Sequence, residues 1–298
     1  MRVVTLLPAA TEIVAALGGA DRLVGISHEC DYPASVLGLP RVTATPIDSS
    51  LPSAGIDAEV RRLRATGRPV IGVDADALRR LAPDLLVTQS LCEVCAVADG
   101  EAHRLAAALE RPPEVLRLGG TTLAGIWGDI RTIGAVLGLG REAEALVAGL
   151  QARLADLQRR TPPLPPRVLC VEWLDPLFLA GHWVPELVAA AGGSDPAATP
   201  GSHSTRREWR EVAGLRPDLI LVMLCGFGVE RSLAELEAIG PEARAALATA
   251  PVWILDGNAY TSRPGPRVVE GAERIAGALR GEELPGLVRW RDAVSLRA

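Results

Sequence analysis

The chain has 298 residues, 48% of them apolar and 22% charged, the composition of a globular protein with a sizeable core and room for about two domains. A net charge of −5 argues against nucleic acid or an anionic membrane surface as the main partner. All 31 basic residues are Arg, and the absence of Lys removes the P-loop lysine, the pyridoxal Schiff base and the Ser-Lys dyad.

No run of about 18 apolar residues is present, so no membrane-spanning helix is expected. The opening, Met1-Arg2-Val3-Val4-Thr5-Leu6-Leu7-Pro8, enters a strand pattern directly and lacks the layout of a signal peptide. As written the chain reads as cytoplasmic; a removed leader would place it outside the membrane, in the periplasm or its equivalent.

Short β-rich runs alternate with helical stretches, the pattern of an α/β protein with mostly parallel sheets. In chain order, strands are expected at residues 3–6, 23–26, 85–88, 115–118, 168–171, 219–223 and 252–255. Helices are expected at 10–17, 101–109, 183–191, 229–237 and 266–279. From residue 123 to 160 the chain reads helical, with one interruption at Gly138-Leu139-Gly140. Leu146, Leu150, Leu154 and Leu157 give its second part a single apolar face, and Thr161-Pro162-Pro163-Leu164-Pro165-Pro166 ends it. This sets a division into a lobe at 1–138, a linking helix at 139–162 and a lobe at 163–298. Pro83-Asp84-Leu85-Leu86-Val87 and Pro217-Asp218-Leu219-Ile220-Leu221-Val222 echo each other, each after a short helix and before a loop bearing a cysteine. The echo fits two similar lobes; one large sheet is the alternative.

In open parallel sheets ligands sit beyond the carboxyl ends of the strands, here the loops 8–11, 27–33, 89–97, 172–183, 224–228 and 256–266. The chain holds only six Trp, two Tyr and two Phe. Six of these fall in the loops: Tyr32, Trp173, Phe178, Trp183, Phe227 and Tyr260. Rings placed on loops favour a flat, largely apolar ligand. Trp127, Trp209, Trp253 and Trp290 read as packing residues.

Ser27-His28-Glu29-Cys30-Asp31-Tyr32-Pro33 is dense in ligating groups, and Gln89-Ser90-Leu91-Cys92-Glu93-Val94-Cys95 adds a C-x-x-C. His28, Cys30, Cys92 and Cys95 would make a Cys3His set for zinc or another thiophilic metal. Reduced cysteines packed at a loop–helix junction are the competing reading; a thioredoxin-like pair lacks its small-domain context. Cys170 sits in a strand pattern and reads as a small buried hydrophobe. His28 alone would read as a hydrogen-bonded structural histidine, His103 as solvated, and His203, in a polar loop, has no assigned role. Asp74 and Asp76 read as a helix cap. Tyr260-Thr261-Ser262-Arg263-Pro264-Gly265-Pro266-Arg267 reads either as a proline-capped helix start with surface arginines or as a site where N–H groups, Arg263 and Arg267 hold an anionic or amide edge. No set of nucleophile, base and orienting group is complete, so the chain reads as a binding protein rather than an enzyme.

Thr5-Leu6-Leu7-Pro8-Ala9-Ala10-Thr11-Glu12-Ile13-Val14-Ala15-Ala16-Leu17-Gly18 resembles the opening of the cobalamin and iron-siderophore substrate-binding proteins of ABC importers. Val24-Gly25-Ile26-Ser27-His28-Glu29-Cys30-Asp31-Tyr32-Pro33, Trp173-Leu174-Asp175-Pro176-Leu177-Phe178, Gly181-His182-Trp183-Val184-Pro185-Glu186 and Asp256-Gly257-Asn258-Ala259-Tyr260 resemble the cobalamin-binding branch. The resemblance implies two Rossmann-like lobes joined by one helix, the class III arrangement, with a corrinoid such as cobalamin clamped between them and delivered to an importer permease. It implies ligand contacts from Pro8, Ala9, Thr11, His28, Glu29, Tyr32, Trp173, Phe178, His182, Trp183, Cys225, Phe227, Tyr260 and Arg263. His28 could reach the cobalt, or the His/Cys set could hold a separate metal. A metal-binding or thiol-redox protein built on that set is the alternative function.

Overall fold

The computed structural model describes residues 1–90, 97 and 99–291. By its contacts the chain separates into two compact units, Met1–Leu51 with Gly55–Gly149, and Pro52–Ala54 with Leu150–Ala298. The division falls inside the helix Gly140–Gln158, which starts just after the Gly138 interruption.

The first unit holds strands β1 (Val3–Thr5), β2 (Leu23–Gly25), β3 (Thr43–Ala44), β4 (Gly72–Val73), β5 (Leu85–Gln89) and β6 (Glu114–Leu118). Four form a parallel sheet in the order β2-β1-β5-β6, while β3 and β4 make a separate antiparallel pair. Strands of a parallel sheet need cover on both faces, and the burial shows it. Val4, Leu6 and Leu86 pack with Val60, Leu63 and Leu78 in one core. Their neighbours Val3, Leu85 and Val87 are as fully buried and point the other way, as strand alternation requires. The helices Pro8–Ala16 and Leu123–Val136 touch each other and bury Ile13, Val14, Ile126, Ile130 and Ile133.

The second unit holds β7 (Val168–Leu174), β8 (Leu177–Leu179), β9 (Thr205–Arg206), β10 (Leu219–Val222), β11 (Val252–Leu255) and β12 (Leu287–Arg289). Their order is β12-β11-β10-β7-β8-β9: the central three run parallel, and β12, β8 and β9 pair antiparallel. Continuous apolar runs such as Val252–Leu255 give strands buried on both faces. The helix Val268–Arg280 buries Val268, Ala272 and Ile275 and packs on Val184–Ala190. Cys170 is 1% exposed, and burial pushes its thiol well above the usual range, which fits a small core residue.

The sequence echo between the units is a structural repeat. Arg2 N–H donates to Asp84 Oδ2 at 2.6 Å, and Arg167 N–H donates to Asp218 Oδ2 at 2.7 Å. In return Asp84 N–H and Asp218 N–H donate to the carbonyls of Arg2 and Arg167, each at 2.8 Å. The guanidinium of each Arg caps a carbonyl of the preceding short helix, Leu81 or Leu215. In both units that helix ends in a non-glycine residue in the left-handed region, Ala82 or Arg216, directly before the Pro-Asp. Each Asp therefore ties the start of one strand to the start of its neighbour.

The segment 172–183 departs from the expected loop. β7 runs on to Leu174 and returns as β8, so Trp173 and Phe178 are register partners in a hairpin. The turn between them, Asp175-Pro176, carries no Asn-Gly or Asp-Gly signal, and the hairpin is held by cross-strand packing instead. β9, β12 and the helix Ser53–Ala65 also lie outside the expected elements. Asp74 is the helix cap expected, accepting from Ala77 N–H at 2.9 Å.

Asp195 is a strongly perturbed carboxyl of the second unit. It accepts N–H bonds from Ala197 (2.8 Å) and Ala198 (3.1 Å), yet burial outweighs them and pushes it up to about 6. The folded state thus holds this proton more tightly than the unfolded chain. The contribution to stability is full at low pH and is lost as pH rises through about 6. Asp195→Asn keeps the accepting oxygen and removes the charge. Urea denaturation across pH should find it more stable than the parent above pH 6, by up to about 2–3 kcal/mol, with the gap closing near pH 4. The repeated clasp yields a second expectation: Asp84→Ala and Asp218→Ala should each lower the unfolding free energy by about 1 kcal/mol in the same assay.

Candidate functional site

In each sheet one pair of neighbouring strands marks the point where the chain reverses its direction of travel across the sheet. Loops diverge there beyond the carboxyl ends and leave room for a ligand. The order β2-β1-β5-β6 puts that point at β1/β5, and β12-β11-β10-β7-β8-β9 puts it at β7/β10.

At β1/β5 the residues are Leu6-Leu7-Pro8 and Gln89-Ser90. Pro8 opens the helix with a ring that lacks the N–H a first-turn residue would leave unpaired. Pro8, Ala9 and Thr11 are all buried. The Thr11 hydroxyl lies 2.6 Å from Thr5 Oγ1 and 3.1 Å from Cys30 Sγ, so it joins β1, the helix and the 27–33 loop from inside. Arg41 fixes that loop by donating to the carbonyls of Ser27 and Cys30. Thr43 Oγ1 accepts from His28 N–H at 2.9 Å, lies 2.6 Å from His28 Nδ1 and 3.0 Å from Ser27 Oγ. Burial, with the positive Arg41 adding to it, lowers the proton affinity of His28 and favours the neutral ring. Glu29 and Tyr32 stand exposed on the same loop.

The proposed Cys3His set is only partly placed. His28 and Cys30 share a loop, but their side chains engage different hydroxyls, Thr43 and Thr11. Cys92 and Cys95 lie outside the described residues. Among the described residues no three His, Cys, Asp or Glu side chains converge as a metal group.

At β7/β10 the rings gather. Trp173 and Phe227 have centroids 5.2 Å apart at a 51° tilt, and Phe178 lies directly across the hairpin from Trp173. Phe227 is buried, with the Arg231 guanidinium 4.3 Å above its ring. Trp173, Phe178 and Cys225 remain half-exposed. The loops after β10 and β11 are locked together: Asn258 N–H donates to the Phe227 carbonyl at 3.1 Å, and Gly226 N–H to Ser262 Oγ at 3.3 Å. Only glycine permits this approach at position 257, where a Cβ would strike the Leu224 carbonyl and come within 2.7 Å of Met223 O. Cys225 N–H donates to the Glu172 carbonyl at 3.0 Å, which sets β10's exit against β7's.

Two residues expected to face a ligand, Trp183 and Arg263, are used internally, and half-exposed Tyr260 is stacked by arginines. Trp183 is 7% exposed and its indole N–H donates to the Thr261 carbonyl at 3.1 Å, so it packs where the sequence suggested a loop ring. Arg263 is 5% exposed, and its guanidinium donates to Asn258 Oδ1 at 2.8 Å. The Tyr260 ring lies under the Arg274 guanidinium at 3.7 Å, with Arg267 at 5.2 Å and Gly286 giving it room. His182 adopts a positive φ of 55° and stands beside His203. Burial, then the nearby His203, lowers its proton affinity. Arg41, Thr43 and Arg231 were not singled out in the sequence. Arg231 had a local signal, four residues after Phe227 at the start of a helix; Arg41 and Thr43 lie in a stretch with no periodicity.

Among the described residues no helix is long and apolar enough to cross a membrane. No curated protein sequence matches the chain as a relative. Solved structures match it over almost its whole length. The periplasmic heme-binding protein RhuT from Roseiflexus sp. RS-1, in its apo form, shares 25% identity at a TM-score of 0.65, covering 94% of this chain and 98% of its own. The periplasmic vitamin B12-binding protein BtuF of Vibrio cholerae shares 22% at 0.65, covering 94% and 96%. A periplasmic heme-binding protein from Pseudomonas aeruginosa shares 21% at 0.67, covering 97% and 98%. The family model described as periplasmic binding protein matches residues 3–253, and the chain therefore belongs to the periplasmic binding protein family, whose members bind small-molecule ligands and deliver them to ABC importer permeases.

Proposed function

We propose that this chain is the substrate-binding component of an ABC importer and that its ligand is a corrinoid, cobalamin or a close relative, bound without catalysis. The observation that carries this reading is the set of rings at the β7/β10 reversal, where half-exposed Trp173 packs against buried Phe227 and half-exposed Phe178 is its register partner across the hairpin. Such a surface suits one face of a flat macrocycle, each aromatic contact contributing on the order of 0.5–1.5 kcal/mol beyond burial. Family membership favours an extracytoplasmic place of work.

Charge is what separates a corrinoid from a porphyrin. A porphyrin with carboxylate side arms needs cations free to meet them, whereas a corrinoid presents mainly neutral amides. Three guanidiniums around the second unit's carboxyl-end loops are engaged: Arg231 with Phe227 and Glu235, Arg263 with Asn258, Arg274 with Tyr260 and Glu270; Arg206, in register with Phe178 on β9, stands exposed. The vitamin B12-binding protein among the matched structures fits the same reading, and the heme-binding ones supply its natural competitor.

The test is a parallel titration with cyanocobalamin and hemin, followed by absorbance and calorimetry. Cyanocobalamin should bind at micromolar concentration or below and more tightly than hemin; no binding up to about 100 µM, or a preference for hemin, rejects the proposal. Two tryptophan variants then separate contact from packing. Trp173→Ala should weaken cyanocobalamin about tenfold with little change in melting temperature. Trp183→Ala should instead cost about 3–5 kcal/mol of stability, since it empties a buried site and strands the Thr261 carbonyl.

A further inference from the structure

A pair of imidazoles in the second unit has no part in the ring cluster. His182 follows β8 and His203 lies in the loop before β9, and their ring centroids are 5.3 Å apart with planes at 88°. The two loops are stitched together. His182 N–H donates to the Ser202 carbonyl at 2.6 Å, and Gly201 N–H donates to the His182 carbonyl at 2.8 Å. At Gly181 a Cβ would lie 2.6 Å from His203 C, so the backbones meet with no space between them. The separation of the rings is thus set by backbone and does not depend on flexible side chains alone.

One further feature calls for a partner. His182 Nε2 is buried and has no hydrogen-bond partner among the described residues. A buried polar atom left unpaired costs about 1–3 kcal/mol.

We propose that His182 and His203 form a two-imidazole site for a divalent transition-metal ion, whose other positions are filled by water or small donors. Two imidazoles bound through nitrogen at about 2.0 Å to one tetrahedral ion have ring centres about 5 Å apart, close to the separation seen. The two rings occupy adjacent coordination positions. A corrin or porphyrin leaves open only positions on opposite faces of its metal, so this pair takes a free ion. Neutral imidazoles bind the ion by their lone pairs, displacing water.

The experiment is a Zn2+ titration of the full chain labelled with 15N-histidine, read by NMR of the four imidazoles. The ring signals of His182 and His203 should move together and saturate at one ion per chain. His203→Ala, on an exposed loop, should weaken that ion at least about tenfold, and His182→Ala should do the same. His103→Ala, far along the sequence and exposed, should leave the response unchanged. The proposal is overturned if the two signals stay in place up to about 1 mM Zn2+, or if His203→Ala binds as tightly as the parent, since the ion is then held elsewhere. Should His182→Ala not fold, the His203 variant decides the matter alone.

Discussion

Parallel pairing of β7 with β10 is the constraint on which the second unit depends. Strands that run the same way deliver all their exits to one side, and strands on both sides of the pair carry the chain away in opposite directions. Trp173 leaves β7 and Phe227 follows β10, so two residues far apart in sequence come within ring contact. Gly257 then lets the β11 exit press against the β10 exit, and Ser262 and Asn258 bond across. Rings and polar groups from distant parts of the chain collect here because parallel strands deliver their exits to one side.

The first unit obeys the same rule with different side chains. Its reversal point is lined by Pro8 and buried hydroxyls, and the polar loop after β2 is held by Arg41 and Thr43 instead of by rings. One ground plan thus supports an aromatic surface in one unit and a hydrogen-bonding loop in the other. The matching Arg–Asp clasps show that the plan is shared down to single bonds.

What the residues revealed in advance follows from how local each signal was. Val252–Leu255 and Val229–Glu237 could be read because an apolar run and a helical period are complete within a few residues. The Pro-Asp echo was visible for the same reason. The β7–β8 hairpin was not, because its turn lacks the usual residues and its rings resembled loop aromatics. The helix Ser53–Ala65 is largely polar, and only Ile56, Val60 and Leu63 mark its inner face. Trp183 looked like a ligand ring because its partner, Thr261, lies 78 residues away. The His182–His203 contact escaped for a similar reason: it exists only once the backbone at Gly181 has folded against Ser202 and His203.

The clasps of Arg2 with Asp84 and Arg167 with Asp218 sit where the strands begin, and the loops after β1, β5, β7 and β10 lie where the strands finish. Each sheet therefore has an anchored end and a permissive end. Residues at the permissive end can be exchanged, and new cargo accommodated, without loosening the fastening that sets the strands in register. A scaffold arranged in this way is open to diversification of what it carries while its frame stays the same.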